Sequence, residues 1–173
     1  MVDRTCVIGL GHVGLPLAVK IAEEGRSVLG VDIDQSVLRP LQDGVPGFYE
    51  EGLAELLRSK EVKSNLEFSM FGAKITECNT IIVTVGTPVK QSGEPILSNL
   101  EDCARSIGNL MRRGQLVIFR STIPPGTMRN KLKPILEKES GLEAGHDFYL
   151  AYCPERLVEG NALREIAEIT HIV

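Results

Sequence analysis

Thr5-Cys6-Val7-Ile8-Gly9-Leu10-Gly11-His12-Val13-Gly14-Leu15-Pro16 joins a short apolar run to three glycines and then to a helical pattern continued by Leu17, Ala18, Ile21 and Ala22. The run Cys6 to Ile8 reads as a buried strand. In Gly9-x-Gly11-x-x-Gly14 the first glycine takes a backbone bend that a Cβ would resist. The second lets a pyrophosphate approach the main chain, and the third lets the helix pack close to the strand. The helix N-terminus offers N–H groups and a partial positive charge to phosphates. Pro16 suits the first helical turn, where its missing N–H costs little. A second apolar run, Val28-Leu29-Gly30-Val31, ends at Asp32, where a carboxylate would accept hydrogen bonds from an adenosine ribose. Strand, glycine turn, helix, second strand and acid in that order point to dinucleotide binding. The alternative is a glycine-rich turn in some other α/β protein, with Asp32 a solvated strand end.

The 173 residues can enclose one domain with a substantial core, and the composition, 43% hydrophobic and 24% charged, is that of a globular chain. A net charge of −4 gives no electrostatic reason to expect nucleic acid or an anionic membrane as partner. Asp3 and Arg4 precede a run soon broken by glycines, His12 and Pro16, so no signal peptide is read, and no apolar segment reaches bilayer-spanning length. Cys6, Cys78, Cys103 and Cys153 are widely spaced and form no CxxC. Neither a zinc site nor a disulfide framework is expected; the cysteines read as reduced, buried small hydrophobes of a cytoplasmic protein.

Beyond Asp32, Asp34 caps a helix that ends near Asp43-Gly44, and Glu50 to Leu57 forms a short amphipathic helix. Leu66 to Met70 alternates as a partly exposed strand, and a short helical piece spans Ala73 to Glu77. Thr80 to Val85 is a continuous β-branched run, as in a strand covered on both faces, and ends at Gly86-Thr87-Pro88. Ser98-x-x-Glu101 predicts a capping box for a helix that buries Leu100, Cys103, Ala104, Ile107, Leu110 and Met111 and stops at Gly114. Leu116 to Phe119 is the next strand, followed by Arg120-Ser121-Thr122 and a helix beginning at Pro124-Pro125-Gly126-Thr127. Phe148 to Tyr152 is a further strand, ending at Cys153-Pro154-Glu155; a short helix over Ala162 to Ala167 precedes an apolar triplet, His171 to Val173, that reads as another strand beginning. The alternation predicts an α/β, Rossmann-like doubly wound fold with a mainly parallel sheet and helices on both faces. Ligands then lie across the carboxyl ends of the strands, at Gly9–Gly14, Asp32, Gly86–Pro88, Ser121–Thr122 and Cys153–Gly160.

Taken together, GLGHVGLPLA (Gly9–Ala18), VDID (Val31–Asp34), VGTP (Val85–Pro88), STIPPGT (Ser121–Thr127) and AYCPERLVEG (Ala151–Gly160) closely resemble the N-terminal domain of the UDP-glucose/GDP-mannose dehydrogenase family. The resemblance covers nearly the whole chain. It implies an NAD-dependent oxidoreductase that converts the C6 alcohol of a nucleotide sugar, a UDP-sugar above all, to a carboxylate with two NAD+. An aldehyde intermediate is captured by a cysteine thiolate, and a carboxylate-activated water hydrolyses the thioester. In this family the cofactor domain is followed by a helical middle domain and a C-terminal nucleotide-binding domain, and the nucleophilic cysteine lies in the later part. Residues 1–173 are therefore expected to be the NAD-binding domain of a longer, homo-oligomeric enzyme, inactive by itself.

By the same resemblance, Gly9, Gly11, His12, Val13, Gly14, Asp32, Gly86, Thr87, Pro88, Thr122 and Glu159 face the cofactor. Thr122 orders water near the nicotinamide, Glu155 is a general base in the late steps, and Glu159 positions the same water network. Arg156 and Leu157 run along the sugar nucleotide. If the loop after Pro154 turns helical, Glu155 and Glu159 share a face. Read from the residues alone, Glu155 and Glu159 are equally a pair of solvated acids, and Thr122 a turn or cap residue. His12 stands where the family commonly has Tyr or Phe, Val37 where relatives carry Lys or Arg, and Glu51 where a proline is common. Asp32 and Asp34 would repel a 2′-phosphate, which favours NAD over NADP even with Arg39 nearby. Cys153 reads as structural. A stand-alone NAD-binding or redox-sensing module is the alternative function. The stretch Ala151–Arg156 leans toward UDP-N-acetylmannosamine enzymes and Val158–Gly160 toward UDP-glucose enzymes.

Overall fold

The structure, a computed structural model, describes residues 3–158 and 160–168. Glu159 and the predicted strand start at His171–Val173 lie outside the described residues. Among the described residues six strands form one sheet: β1 (Arg4–Ile8), β2 (Ser27–Asp32), β3 (Leu66–Met70), β4 (Thr80–Val83), β5 (Leu116–Phe119) and β6 (Tyr149–Tyr152). Their order is β3-β2-β1-β4-β5-β6, and every pair is parallel. Chain direction reverses its progress across the sheet between β1 and β4, which opens a crevice at their carboxyl ends.

The pleat sorts the core into two layers. Cys6 and Ile8 of β1, Leu29 and Val31 of β2, Ile81 and Val83 of β4, and Val117 and Phe119 of β5 face one side. Val7, Val28, Ile82 and Ile118, one residue out of phase, face the other. The first layer is covered by α5 (Ser98–Gly108), α6 (Lys133–Ser140) and a 3₁₀ turn at Ala73–Glu77, through Leu100, Ala104, Ile107, Leu136 and Ile75. The second is covered by α1 (Gly14–Glu23), α2 (Gln35–Gln42), α3 (Leu53–Arg58), α4 (Lys60–Asn65) and α7 (Ala162–Glu168). Strands buried on both faces explain the near-continuous apolar runs.

Several boundaries differ from the sequence reading. β4 ends at Val83, because Thr84 turns its hydroxyl onto the carbonyls of Gly9 (2.7 Å) and Ile8 (3.0 Å). The capping box at Ser98 does not form: Leu97 is the N-cap, no side chain caps α5, and the Glu101 carboxylate meets Lys131 at 2.9 Å instead. α5 stops at Gly108 rather than Gly114. Helix three begins at Leu53, with Gly52 left-handed before it (φ 78°). After Thr127 the chain enters a wide π turn, Met128–Leu132, before α6. The segment after Pro154 is irregular, not helical, so Glu155 does not sit on a helix face.

Candidate cofactor cleft and the adjoining loop

At the crevice lies a cleft of about 630 Å³, within the roughly 300–1,000 Å³ usual for small-molecule sites. Gly9, Gly11, His12 and Val13 from the glycine turn line it, with Asp32 from the end of β2 and Thr84 to Gly86 after β4. α5 closes its far side with Asn99, Asp102, Cys103 and Ser106, none of which the sequence reading had placed there.

The three glycines divide the labour by geometry. Gly9 is left-handed, at φ 94°, and its amide donates to Val31 at 2.8 Å, tying the turn to β2. A Cβ on Gly14 would lie 1.8 Å from the Gly9 carbonyl oxygen and 2.4 Å from the Thr84 hydroxyl, so this position serves packing. A Cβ on Gly11 would meet nothing within 4 Å; the space is on the cleft side, where a ligand phosphate can reach the backbone. No side chain caps α1, and its N-cap residue, Val13, lines the same wall.

Asp32 spans the mouth. Its Oδ2 accepts from the Leu10 amide at 2.9 Å and its Oδ1 from the Asp34 amide at 3.0 Å, which fixes the carboxylate between turn and strand end. Each oxygen keeps a second acceptor site for a vicinal diol. His12 packs its ring on Phe48, with centroids 4.1 Å apart and planes tilted by 31°. Burial pushes the Cys103 thiol up to about 12, so it stays protonated in the cleft wall. The hydrogen bond with Cys78, together with burial, raises Cys6.

Of the remaining predicted residues, Thr87, Pro88, Thr122, Glu155, Arg156 and Leu157 lie outside the cleft lining, in a second row along the ends of β4, β5 and β6. The Thr87 hydroxyl donates to the Thr122 carbonyl at 2.6 Å, and the Ser121 hydroxyl to the Val85 carbonyl at 2.6 Å. Pro88 accepts from Ile96 at 2.7 Å, pinning the loop. Glu155 is nearly buried against Arg120. Both Nε (3.0 Å) and Nη2 (2.7 Å) of the guanidinium donate to its Oε2, while Oε1 accepts from the Arg156 and Leu157 amides at 2.7 and 3.0 Å. Arg120 is a residue the sequence reading passed over; its only signal is its place at a strand end. Glu50, buried at 6% exposure, is a second: it accepts from the Gly160 amide (3.0 Å) and the Leu163 amide (3.2 Å). No local pattern marks a contact that distant in sequence.

Residues 3–173 match the model of the UDP-glucose/GDP-mannose dehydrogenase family, NAD binding domain. The chain is 37% identical to UDP-N-acetyl-D-glucosamine 6-dehydrogenase of Pseudomonas aeruginosa over 98% of its own length and 39% of that protein's. It superposes on the UDP-D-ManNAc dehydrogenase structure from Pyrococcus horikoshii with a TM-score of 0.87 at 38% identity, covering 94% of this chain and 38% of that one. A ternary complex of GDP-mannose dehydrogenase from Pseudomonas aeruginosa gives a TM-score of 0.89 at 31% identity, covering 95% and 38%. The chain thus spans about two-fifths of the length of these relatives.

Proposed function

The chain belongs to the UDP-glucose/GDP-mannose dehydrogenase family and corresponds to its NAD-binding domain, an oxidoreductase module with an NAD-type cofactor; from that premise we propose that it serves a UDP-sugar 6-dehydrogenase and prefers NAD to NADP. The observation that carries the cofactor preference is the Asp32 carboxylate, fixed across the cleft mouth by two backbone amides. A diol is a good partner for it, and a 2′-phosphate is repelled by it and by Asp34. A bound NAD-type cofactor would supply the hydride acceptor for two oxidations at C6. Gly11 and the start of α1 would hold the pyrophosphate, and the row from Gly86 through Thr87 and Pro88 to Thr122 would border the nicotinamide end. Thr122 orders water there.

Arg156 and Leu157 face the sugar nucleotide, and Glu159 belongs to the same water network. Glu155 takes a proton from water in the late, hydrolytic step. Arg120 and the Arg156 and Leu157 amides all donate to its two oxygens, so one donor must give way to that water, and Arg120 holds the carboxylate aligned until then. The enzyme works as a cytoplasmic homo-oligomer. Among the described residues no helix is long and apolar enough to cross a membrane.

Calorimetric titration of the purified chain with NAD+ and NADP+ tests the reading. NAD+ is expected to bind more tightly, and Asp32→Ala to weaken it by about 1–3 kcal/mol through lost ribose hydrogen bonds. Equal or tighter NADP+ binding, or an NAD+ affinity indifferent to Asp32→Ala, overturns it.

A further inference from the structure

A buried carboxylate with no counter-charge is costly unless donors satisfy it, and Glu50 is satisfied from far along the chain. Its two oxygens each take one backbone amide, Oε2 from Gly160 and Oε1 from Leu163, in the segment that runs from the proposed sugar-facing residues into α7. The same segment is pinned at its other end by Arg120 on Glu155 and, between the two, by the Val158 amide donating to Glu165 at 2.7 Å. Glu50 itself sits two residues after Phe48, whose ring rests on His12 in the wall of the cleft. One short loop therefore touches the glycine turn with one residue and holds the Gly160–Leu163 backbone with another.

We propose that Glu50 is a positioning residue that couples occupation of the dinucleotide cleft to the placement of the segment carrying Glu155, Arg156 and Leu157; its consequence for catalysis rests on the reading of that segment as sugar-facing, its test does not. A ligand that packs on His12 restricts the ring and, through Phe48, the loop; Glu50 transmits that restriction as tighter hydrogen bonds to Gly160 and Leu163. The geometry demands two acceptors. A glutamine in the same place offers one carbonyl oxygen and one NH₂ group, so an N–H donor is left facing an N–H donor.

Residue-resolved amide exchange on the 173-residue chain, with and without NAD+, provides the test. In the unsubstituted chain NAD+ is expected to slow exchange at Gly160 and Leu163 as well as in the glycine turn. In Glu50→Gln, exchange without ligand should be at least about tenfold faster at whichever of those two amides faces the NH₂ group, as loss of a hydrogen bond to a charged group implies, with α1 unchanged. NAD+ should then still protect the glycine turn but no longer reach that amide. Protection of the turn alone in the unsubstituted chain overturns the coupling, and does so without any variant. Unchanged exchange in Glu50→Gln overturns the anchor. If NAD+ protects neither region, the cofactor reading fails, a result distinct from either of these.

Discussion

Gly11 and Gly14 look alike in the sequence and serve opposite ends. An added methyl at Gly14 collides with a backbone oxygen at 1.8 Å, which no side-chain motion relieves, whereas at Gly11 it enters open space. Gly14→Ala should therefore cost stability at or beyond the upper end of about 1–3 kcal/mol, lowering the thermal midpoint by several degrees. Gly11→Ala should leave the melting curve in place while weakening NAD+ binding tenfold or more, because its methyl occupies the path of the pyrophosphate. Melting curves and calorimetry on the two variants separate the roles; a stable Gly14→Ala domain or a Gly11→Ala domain with full affinity would contradict the assignment. At this scale the turn and Asp32 were legible because each lies within a local motif. Arg120 and Glu50 were not, because their roles depend on partners 35 and 110 residues away.

Elements were legible where one physical cue dominated and misread where tertiary contacts overruled it. The strands followed from apolar runs, and α2 from its cap: Asp34 accepts from both the amide (2.8 Å) and hydroxyl (2.7 Å) of Ser36. α5 shows the opposite. Its chain leaves the helix at Gly108, where a Cβ would lie 2.7 Å from Glu139 Cβ, so close packing on α6 sets the end. Gly114, at φ 83°, turns the chain into β5 instead. The Asp34 cap makes a pH prediction. The Ser36 hydroxyl first, and its amide second, hold the Asp34 carboxyl below its ordinary value of 3.8. A carboxyl lowered by folding stabilises the native state above the unfolded value, and that stabilisation is lost as pH falls through the folded one. The gap in thermal midpoint between the unsubstituted chain and Asp34→Ala should accordingly be full at neutral pH and shrink as pH falls below the ordinary carboxyl value of 3.8. A gap that widens in acid would rule out the charged cap.

Across the whole molecule, alternation of strands and helices gave the fold class, but strand order could not be read from it, since it is decided by which crossover covers which face. That order matters chemically: it brings the ends of β1, β2 and β4 around one cleft and leaves those of β5 and β6 as the bordering row. It also decides what the chain's own thiols can do. Cys6, Cys78 and Cys153 are buried, and Cys103, which does reach the cleft wall, is pushed up to about 12 by its burial. Capture of an aldehyde needs a thiolate, and none is offered at the cleft near neutral pH. Without capture, oxidation of the alcohol by NAD+ has no committed second step and returns to the alcohol. The 173-residue chain should therefore bind NAD+ yet give no steady NADH formation, followed by absorbance, with UDP-glucose, UDP-N-acetylmannosamine or GDP-mannose. A sustained rate abolished by Cys153→Ala or Cys103→Ser would show that a nucleophile lies within these residues after all, and would move the site of thioester chemistry to the end of β6 or to the cleft-facing side of α5.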